Sequence, residues 1–355
     1  MIILLILVLI AALAFEYING FHDAANAIAT VVSTKVLTPR TAVLYGASLE
    51  FVGALIGTNV ASTIGKGIVH IGCVTQMVIL CALLGAIIWN LLTWYLGLPS
   101  SSSHALIGGL LGATIVHSKF VFAFKSINIK LFNIALFHTV IPVFKVVQMK
   151  GLFEKVIIPM ITSPFIGITI GFVFMLILLR LTYMSIPDKV NKKFRKLQLV
   201  SSGMMALSHG MNDAQKTMGI ITLALVSFGA LDAFVVPLWV KIICAVMMAC
   251  GTMSGGWKII RTMGTKVIKL KPIHGFAAET AAASVIISAS FLGIPLSTTH
   301  VISTSIMGVG STQRLSAVKW GIVGNIVKAW IFTIPVCMIL SGSIYFIIDR
   351  LLLGH

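Results

Sequence analysis

Residues 71–118 contain no Asp, Glu, Lys or Arg, and residues 276–313 contain only Glu279. A helix needs about 20 apolar residues to cross a bilayer, so runs of this length imply several spans. The pattern predicts helices over 1–34, broken near 20–26, then 41–65, 74–98, a broken segment at 99–117, and 155–182. It continues with 199–230, broken near 210–216, then 235–257, 276–293, a second broken segment at 294–311, and 318–348. The fold class predicted is an all-α polytopic membrane protein with about 10–12 transmembrane segments.

Composition agrees. Hydrophobic residues make up 58% of the 355 and charged residues 10%, with a mean hydropathy of +1.06. A soluble domain carries charge on about a quarter of its residues. The formal net charge of +17 would suit a nucleic-acid partner only if it formed one face or tail. Here the basic residues fall in short connectors, as in cytoplasmic loops of membrane proteins, and nucleic acid is excluded as a partner. The five cysteines have no CxxC spacing and lie within or beside apolar runs, which predicts core packing and no disulfide frame or metal site. Residues 1–15 lack a basic start, so they are expected to be half of a retained membrane helix and not a signal peptide.

Two stretches then repeat. Gly20-Phe21-His22-Asp23-Ala24-Ala25-Asn26-Ala27 is answered 190 residues later by Gly210-Met211-Asn212-Asp213-Ala214-Gln215-Lys216-Thr217. Gly97-Leu98-Pro99-Ser100-Ser101-Ser102-Ser103-His104 is answered 196 residues later by Gly293-Ile294-Pro295-Leu296-Ser297-Thr298-Thr299-His300. Thr162-Ser163-Pro164 is matched by Thr333-Ile334-Pro335, only 171 residues on, which places an insertion at about 118–148 of the first half. The division is therefore 1–184, a basic cytoplasmic connector at 185–198, and 199–355.

Loop charge gives orientation. The connector holds Lys189, Lys192, Lys193, Arg195 and Lys196, and 258–271 holds Lys258, Arg261, Lys266, Lys269 and Lys271, while 229–234 has only Asp232. In the first half the bias reverses: Lys35 and Arg40 flank one loop, and its partner has only Lys66. Equivalent loops facing opposite sides are the mark of an inverted-topology repeat with broken or re-entrant helices at the midplane, common among secondary transporters.

Only nine carboxylates occur in the chain, and two of them, Asp23 and Asp213, hold equivalent places in apolar runs. Ionisable groups at membrane depth are costly and usually mark an ion or substrate path. Each Pro-x-hydroxyl-hydroxyl-x-His element breaks a helix and starts another under hydroxyl caps. Such a break is tolerated in lipid only where it is buried or lines a cavity. A new helix start with free N–H groups favours an anion. Carboxylates beside an anion repel it at low dielectric, unless they hold cations. Na⁺ suits the oxygens of Asp23, Asn26, Asn212, Asp213 and Gln215. Mutually dependent binding of anion and cation is symport.

Other residues stay open at this level. Each aspartate is alternatively a helix cap paired to a lysine, and Lys216 either neutralises Asp213 or adds positive potential for the anion. Glu50, aligned with Cys244, and Glu279, aligned with Leu83, are candidate cation ligands, proton carriers or ion-pair partners, and Glu16 is a weaker one. His104 and His300 suit metal ligation or helix support through hydrogen bonds, the second being preferred. His22 has no assigned role.

These motifs resemble the signatures of the inorganic phosphate transporter (PiT) family, whose pattern is similar to Gly-Ala-Asn-Asp-x-x-Asn-Ala, and the resemblance spans essentially the whole chain. It implies cation-coupled import of orthophosphate, with Asp23, Asn26, Ser101, Ser102, Ser103, Asp213, Ser297, Thr298 and Thr299 at the site. It also implies that Glu50 and Glu279, with Lys216 beside Asp213, take part in coupling. His22 departs from the motif's Asn, and Gln215-Lys216 from its small residue and Asn. The resemblance leaves Na⁺ or H⁺ as the coupled ion, and the ligand chemistry favours Na⁺. The expected partners are phosphate, sodium ions and the lipid bilayer of the cell membrane, with a homodimer left open. A carrier of another tetrahedral oxyanion such as sulfate is the nearest rival. A channel fits two occluding breaks poorly. An intramembrane Ser103/His104 hydrolase lacks a Gly-x-Ser-x-Gly elbow, so no enzyme is expected.

Overall fold

The computed structural model describes residues 2–123 and 147–353, and the insertion expected at about 118–148 falls largely outside them. The first half comprises α1 (Ile2–Ser33), α2 (Pro39–Ala54), α3 (Asn59–Lys66), α4 (Gln76–Leu96), α5 (Ser102–Ala123) and α6 (Met149–Thr182). The second comprises α7 (Pro187–Phe228), α8 (Leu238–Ser254), α9 (Trp257–Lys266), α10 (Pro272–Phe291), α11 (Thr298–Ser311) and α12 (Trp320–Leu353). Local signals explain many of the ends. Thr38 and Thr75 accept backbone N–H bonds at the starts of α2 and α4, and Pro39, Pro187 and Pro272 occupy first-turn positions. Gly97 and Gly229 close α4 and α7 in left-handed conformations that other residues adopt at a cost.

The two halves pack as a reciprocal pair. The first helix of each lies on the second helix of the other, α1 on α8 and α7 on α2, while α5 packs on α12 and α11 on α6. The glycines make this close. A Cβ on Gly20 would overlap the Met248 carbonyl oxygen, and one on Gly210 would overlap that of Glu50. Likewise Gly53 abuts the Leu207 carbonyl and Gly251 that of Tyr17. These matched contacts pair Glu50 with Met248 across the repeat and not with Cys244, correcting the sequence alignment.

Contacts at three levels show that α1 and α7 run antiparallel side by side. Glu16 meets Thr217, Asp23 meets Asp213, and both Thr30 and Ser201 bond Glu279. Equivalent helices of opposite direction are what inverted topology means. The charge reading holds too: Arg195 Nη2 donates to the Lys35 carbonyl at 2.9 Å, so the two basic loops share one end. At the other end Lys66 lies over the Phe234 ring.

Three expectations are corrected. Neither α1 nor α7 is broken at its aspartate motif: they run unbroken for 32 and 42 residues. The glycines there serve close helix approach, as the Gly20 and Gly210 contacts show. The basic connector at 185–198 is mostly helix, forming the first turns of α7 from Pro187. The predicted single helix 41–65 is a bent pair, α2 with α3 at 70°, whereas 235–257 corresponds to α8, which α9 extends at 61°, so much of the basic 258–271 segment is helical. Among the described residues four helices are long and apolar enough to cross a membrane, or up to six if each bent pair is one span. The range of 10–12 counted every helical segment, including α5, α7, α10 and α11, which that test does not credit.

The apolar residues form two cores. One gathers α1 up to Phe15 with α4, α5 and α7 from Ala214, and the other gathers α1 from Ala25 with α10, α11 and α7 up to Ala206. Between them α1 and α7 carry a buried polar layer: Asn19, His22 and Asp23 on one, Ser208, His209, Asn212 and Asp213 on the other. The candidate site residues lie there because both apolar cores exclude them.

Candidate functional site

Two helix starts enter this layer from opposite repeats. After Gly97 closes α4, Pro99 and Ser100 lead to Ser101, whose hydroxyl accepts the His104 N–H at 3.3 Å to start α5. After Gly293 (φ 67°), Ser297 accepts the His300 N–H at 3.3 Å to start α11. These are the predicted breaks. The His104 and His300 rings touch edge to face at 4.9 Å, so the repeat axis passes between them. Trp330 packs on His300 at 4.0 Å and donates to the Pro99 carbonyl at 3.0 Å. Among the described residues His104 Nδ1 and both ring nitrogens of His300 have no hydrogen-bond partner, so the His300 ring does not give the expected hydrogen-bonded support. They pack as aromatic rings.

The aspartates meet beside these starts. Oxygens of Asp23 and Asp213 and a ring nitrogen of His209 all lie within 4.8 Å of one another. Each aspartate bonds the equivalent hydroxyl of its own repeat: Ser102 Oγ donates to Asp23 Oδ2 at 2.7 Å, and Thr298 Oγ1 to Asp213 Oδ2 at 3.2 Å. Thr299 also donates to Asp23 at 3.3 Å, and Asn26 Nδ2 donates to Thr298 at 3.2 Å and Thr299 at 2.9 Å. Two like charges at such a distance repel by about 3 kcal/mol at an effective dielectric of about 20, so the pair needs positive charge. Lys216 supplies it to Asp213 at 2.6 Å. Asp23 has His22 Nδ1 at 2.7 Å, and His22 Nε2 is held by Thr93 at 3.0 Å.

The remaining candidates divide. Asn212 Nδ2 donates to Ser290 at 2.8 Å, while its buried Oδ1 has no partner among the described residues. Gln215 is a correction. Its amide oxygen accepts the N–H groups of Val60 at 2.9 Å and Ala61 at 3.3 Å, and its nitrogen donates to Ile56 and Met211 carbonyls. It caps α3, whose own Thr58 makes no side-chain cap, and both acceptor positions are taken. Glu50 lies against His209 Nδ1 at 2.7 Å and receives the Thr252 hydroxyl, while His209 Nε2 lies 3.4 Å from Asp213. Glu50 thus reaches the aspartates through His209. Glu279 stands two helical turns along α1, bonded by Thr30, Gln198 and Ser201. Glu16 stands two turns the other way, bonded by Thr217.

His209 is the residue that sequence reading missed. It lies four residues before Asp213, one helical turn, a spacing that carries meaning only once the motif is helical. The site's oxygens are carboxylate, amide and hydroxyl, a set that suits a hard cation, with helix starts that suit an anion.

The phosphate transporter family matches residues 19–341. A "Probable low-affinity inorganic phosphate transporter" of Rhizobium meliloti is 46% identical over 98% of this chain and 97% of its own length. The chain belongs to the phosphate transporter family. A protein of the same description from Bacillus subtilis is 44% identical over 99% of both chains. These relatives of the family are named as transporters and not as enzymes, and a multi-pass protein of the cell membrane accords with the apolar helices. A solved structure, "The sodium-dependent phosphate transporter", has the same fold, with a TM-score of 0.84 at 24% identity, covering 98% of this chain and all of that one.

Proposed function

We propose that this member of the family imports inorganic phosphate by symport with Na⁺. One observation carries the reading: two buried aspartates of opposite repeats, within 4.8 Å, each bonded to hydroxyls at the start of a broken helix. An anion settles between the starts of α5 and α11, against Ser101, Ser102, Ser103, Ser297, Thr298 and Thr299, only when cations cover the carboxylates. Asp23, Asn26, Asn212 and Asp213 hold those cations, and Glu50 acts through His209. The halves 1–184 and 199–355 rock about this layer to open it to either side. The solved relative in fold is described as sodium-dependent, which agrees with the reading but does not by itself assign an ion to this chain.

H⁺ coupling is the second reading, favoured by the Glu50–His209–Asp213 chain. The test is uptake of labelled phosphate into proteoliposomes under an imposed Na⁺ gradient against an imposed H⁺ gradient, with sulfate and arsenate as competitors. Sodium-driven uptake resistant to sulfate is the expected result. Uptake driven only by protons overturns Na⁺, and sulfate uptake at an equal rate overturns phosphate as the cargo.

A further inference from the structure

We infer that Lys216 is a tethered cation, occupying in the second repeat the place that a coupled ion fills in the first. The inference rests on the symport reading above and gives one of its cation positions to a residue of the chain itself.

Lys216 is 2% exposed, and its ammonium is surrounded by three oxygens: Asp213 Oδ1 at 2.6 Å, the Leu296 carbonyl at 3.1 Å, and Ser103 Oγ. An ammonium has three N–H donors. All three are committed, so none is left for phosphate, and the group is held as a metal ion would be held. Ser103 itself also bonds the Leu296 carbonyl at 3.3 Å, which closes the cage.

The repeat then supplies the comparison. At offsets of 190 and 196 residues, Lys216 maps onto Asn26, Asp213 onto Asp23, Ser103 onto Thr299, and Leu296 onto Ser100. The first-repeat cage is present: Asn26 Nδ2 donates to Thr299 at 2.9 Å as Lys216 does to Ser103, and Thr299 donates to Asp23 at 3.3 Å. Carboxylate and hydroxyl recur in both halves, but only the second sets a lysine ammonium between them; in the first, Asp23 has the His22 ring at 2.7 Å. Asn26 is neutral, and its amide nitrogen donates to the hydroxyls without bringing a charge. A mobile cation therefore enters at Asp23, with the carboxylate and the Thr299 hydroxyl as ligands and the Asn26 amide beside them. The Asp213 cage needs none while Lys216 fills it.

The experiment grafts the first-repeat residue into the second. Phosphate affinity of the full-length protein in nanodiscs is measured by calorimetry across a range of Na⁺ at constant ionic strength. The slope of log affinity against log [Na⁺] counts the ions bound with phosphate. K216N is expected to show a slope greater than wild type by about one ion. Equal slopes with phosphate binding intact overturn the inference. So does K216N that melts like wild type yet loses phosphate binding at saturating Na⁺, since that makes Lys216 a phosphate ligand. Should K216N fail to fold, the reverse graft N26K is read instead, and it is expected to lower the slope by about one ion; an unchanged slope there also overturns it. The wild-type slope tests the separate question of sodium coupling. A wild-type slope of zero sinks Na⁺ as the coupled ion, while a one-ion difference in K216N still supports the tethered cation.

Discussion

Asp23 and Asp213 are equivalent in the repeat but differ in what compensates them. Asp213 is bound by Lys216, whereas Asp23 has the neighbouring His22 ring. Asp23→Asn is therefore expected to remain folded and to lose coupled phosphate uptake in proteoliposomes. Asp213→Asn strands the Lys216 ammonium in a buried cage, a loss of about 3–5 kcal/mol, so its melting temperature falls as well. Adding K216N to Asp213→Asn should recover stability without recovering uptake. Wild-type uptake in either single variant would refute the site. Gln215 separates the same two readouts in the opposite way. Gln215→Ala removes the acceptor for two N–H groups at the start of α3 and is expected to cost about 1 kcal/mol, while the Na⁺ dependence of phosphate binding stays unchanged. The aspartates, hydroxyl runs and Asn26 were legible in the sequence because a polar group in an apolar run has few structural excuses. Gln215 was misread because the sequence shows an amide beside an aspartate without showing which α3 backbone groups claim it.

Among the elements, the long antiparallel helices α1 and α7 set the distance between the aspartates. Their glycines decide how closely α8 and α2 approach them. Gly20→Ala and Gly210→Ala each drive a methyl into a carbonyl oxygen of the neighbouring helix, and each should destabilise by about 1–3 kcal/mol as overpacked core positions do. Thermal melts in detergent check this, and Gly229→Ala, where nothing lies within 4 Å, separates packing from the cost of its left-handed turn. The sequence pattern predicted helix breaks at the motifs that these glycines open. Glycine marks either a break or a close approach, and only the neighbouring helix tells which. The proline–hydroxyl elements were placed correctly because proline's missing N–H and the serine cap act locally.

For the whole molecule, each hairpin break is latched to the opposite repeat by an equivalent bond. Thr262 Oγ1 donates to the Gly97 carbonyl at 3.0 Å, and Thr63 Oγ1 to that of Gly293 at 2.6 Å. Thr262 lies towards the basic end, near Lys258 and Lys266, and Thr63 lies towards the other, near Lys66. If the halves rock, the latches act on opposite gates. Thr262→Ala is expected to raise labelling from the basic face of a single cysteine placed in the hydroxyl runs, and Thr63→Ala to raise it from the opposite face. Each change should cost about 1 kcal/mol, the worth of one such hydrogen bond. Labelling altered on the same face by both would exclude rocking about this layer.

The sequence by itself determined the class, the duplication and its inversion, because apolar length, motif spacing and loop charge are properties of the chain read along its length. It also marked most of the residues that the fold gathers in the buried polar layer, since charge among apolar residues is visible without coordinates. Only the tertiary structure decided that α1 and α7 are unbroken, that Gln215 serves a helix start, and that His209 joins Glu50 to Asp213. Each of these depends on which distant segments come close to one another, and such distances are set by packing and not by order along the chain.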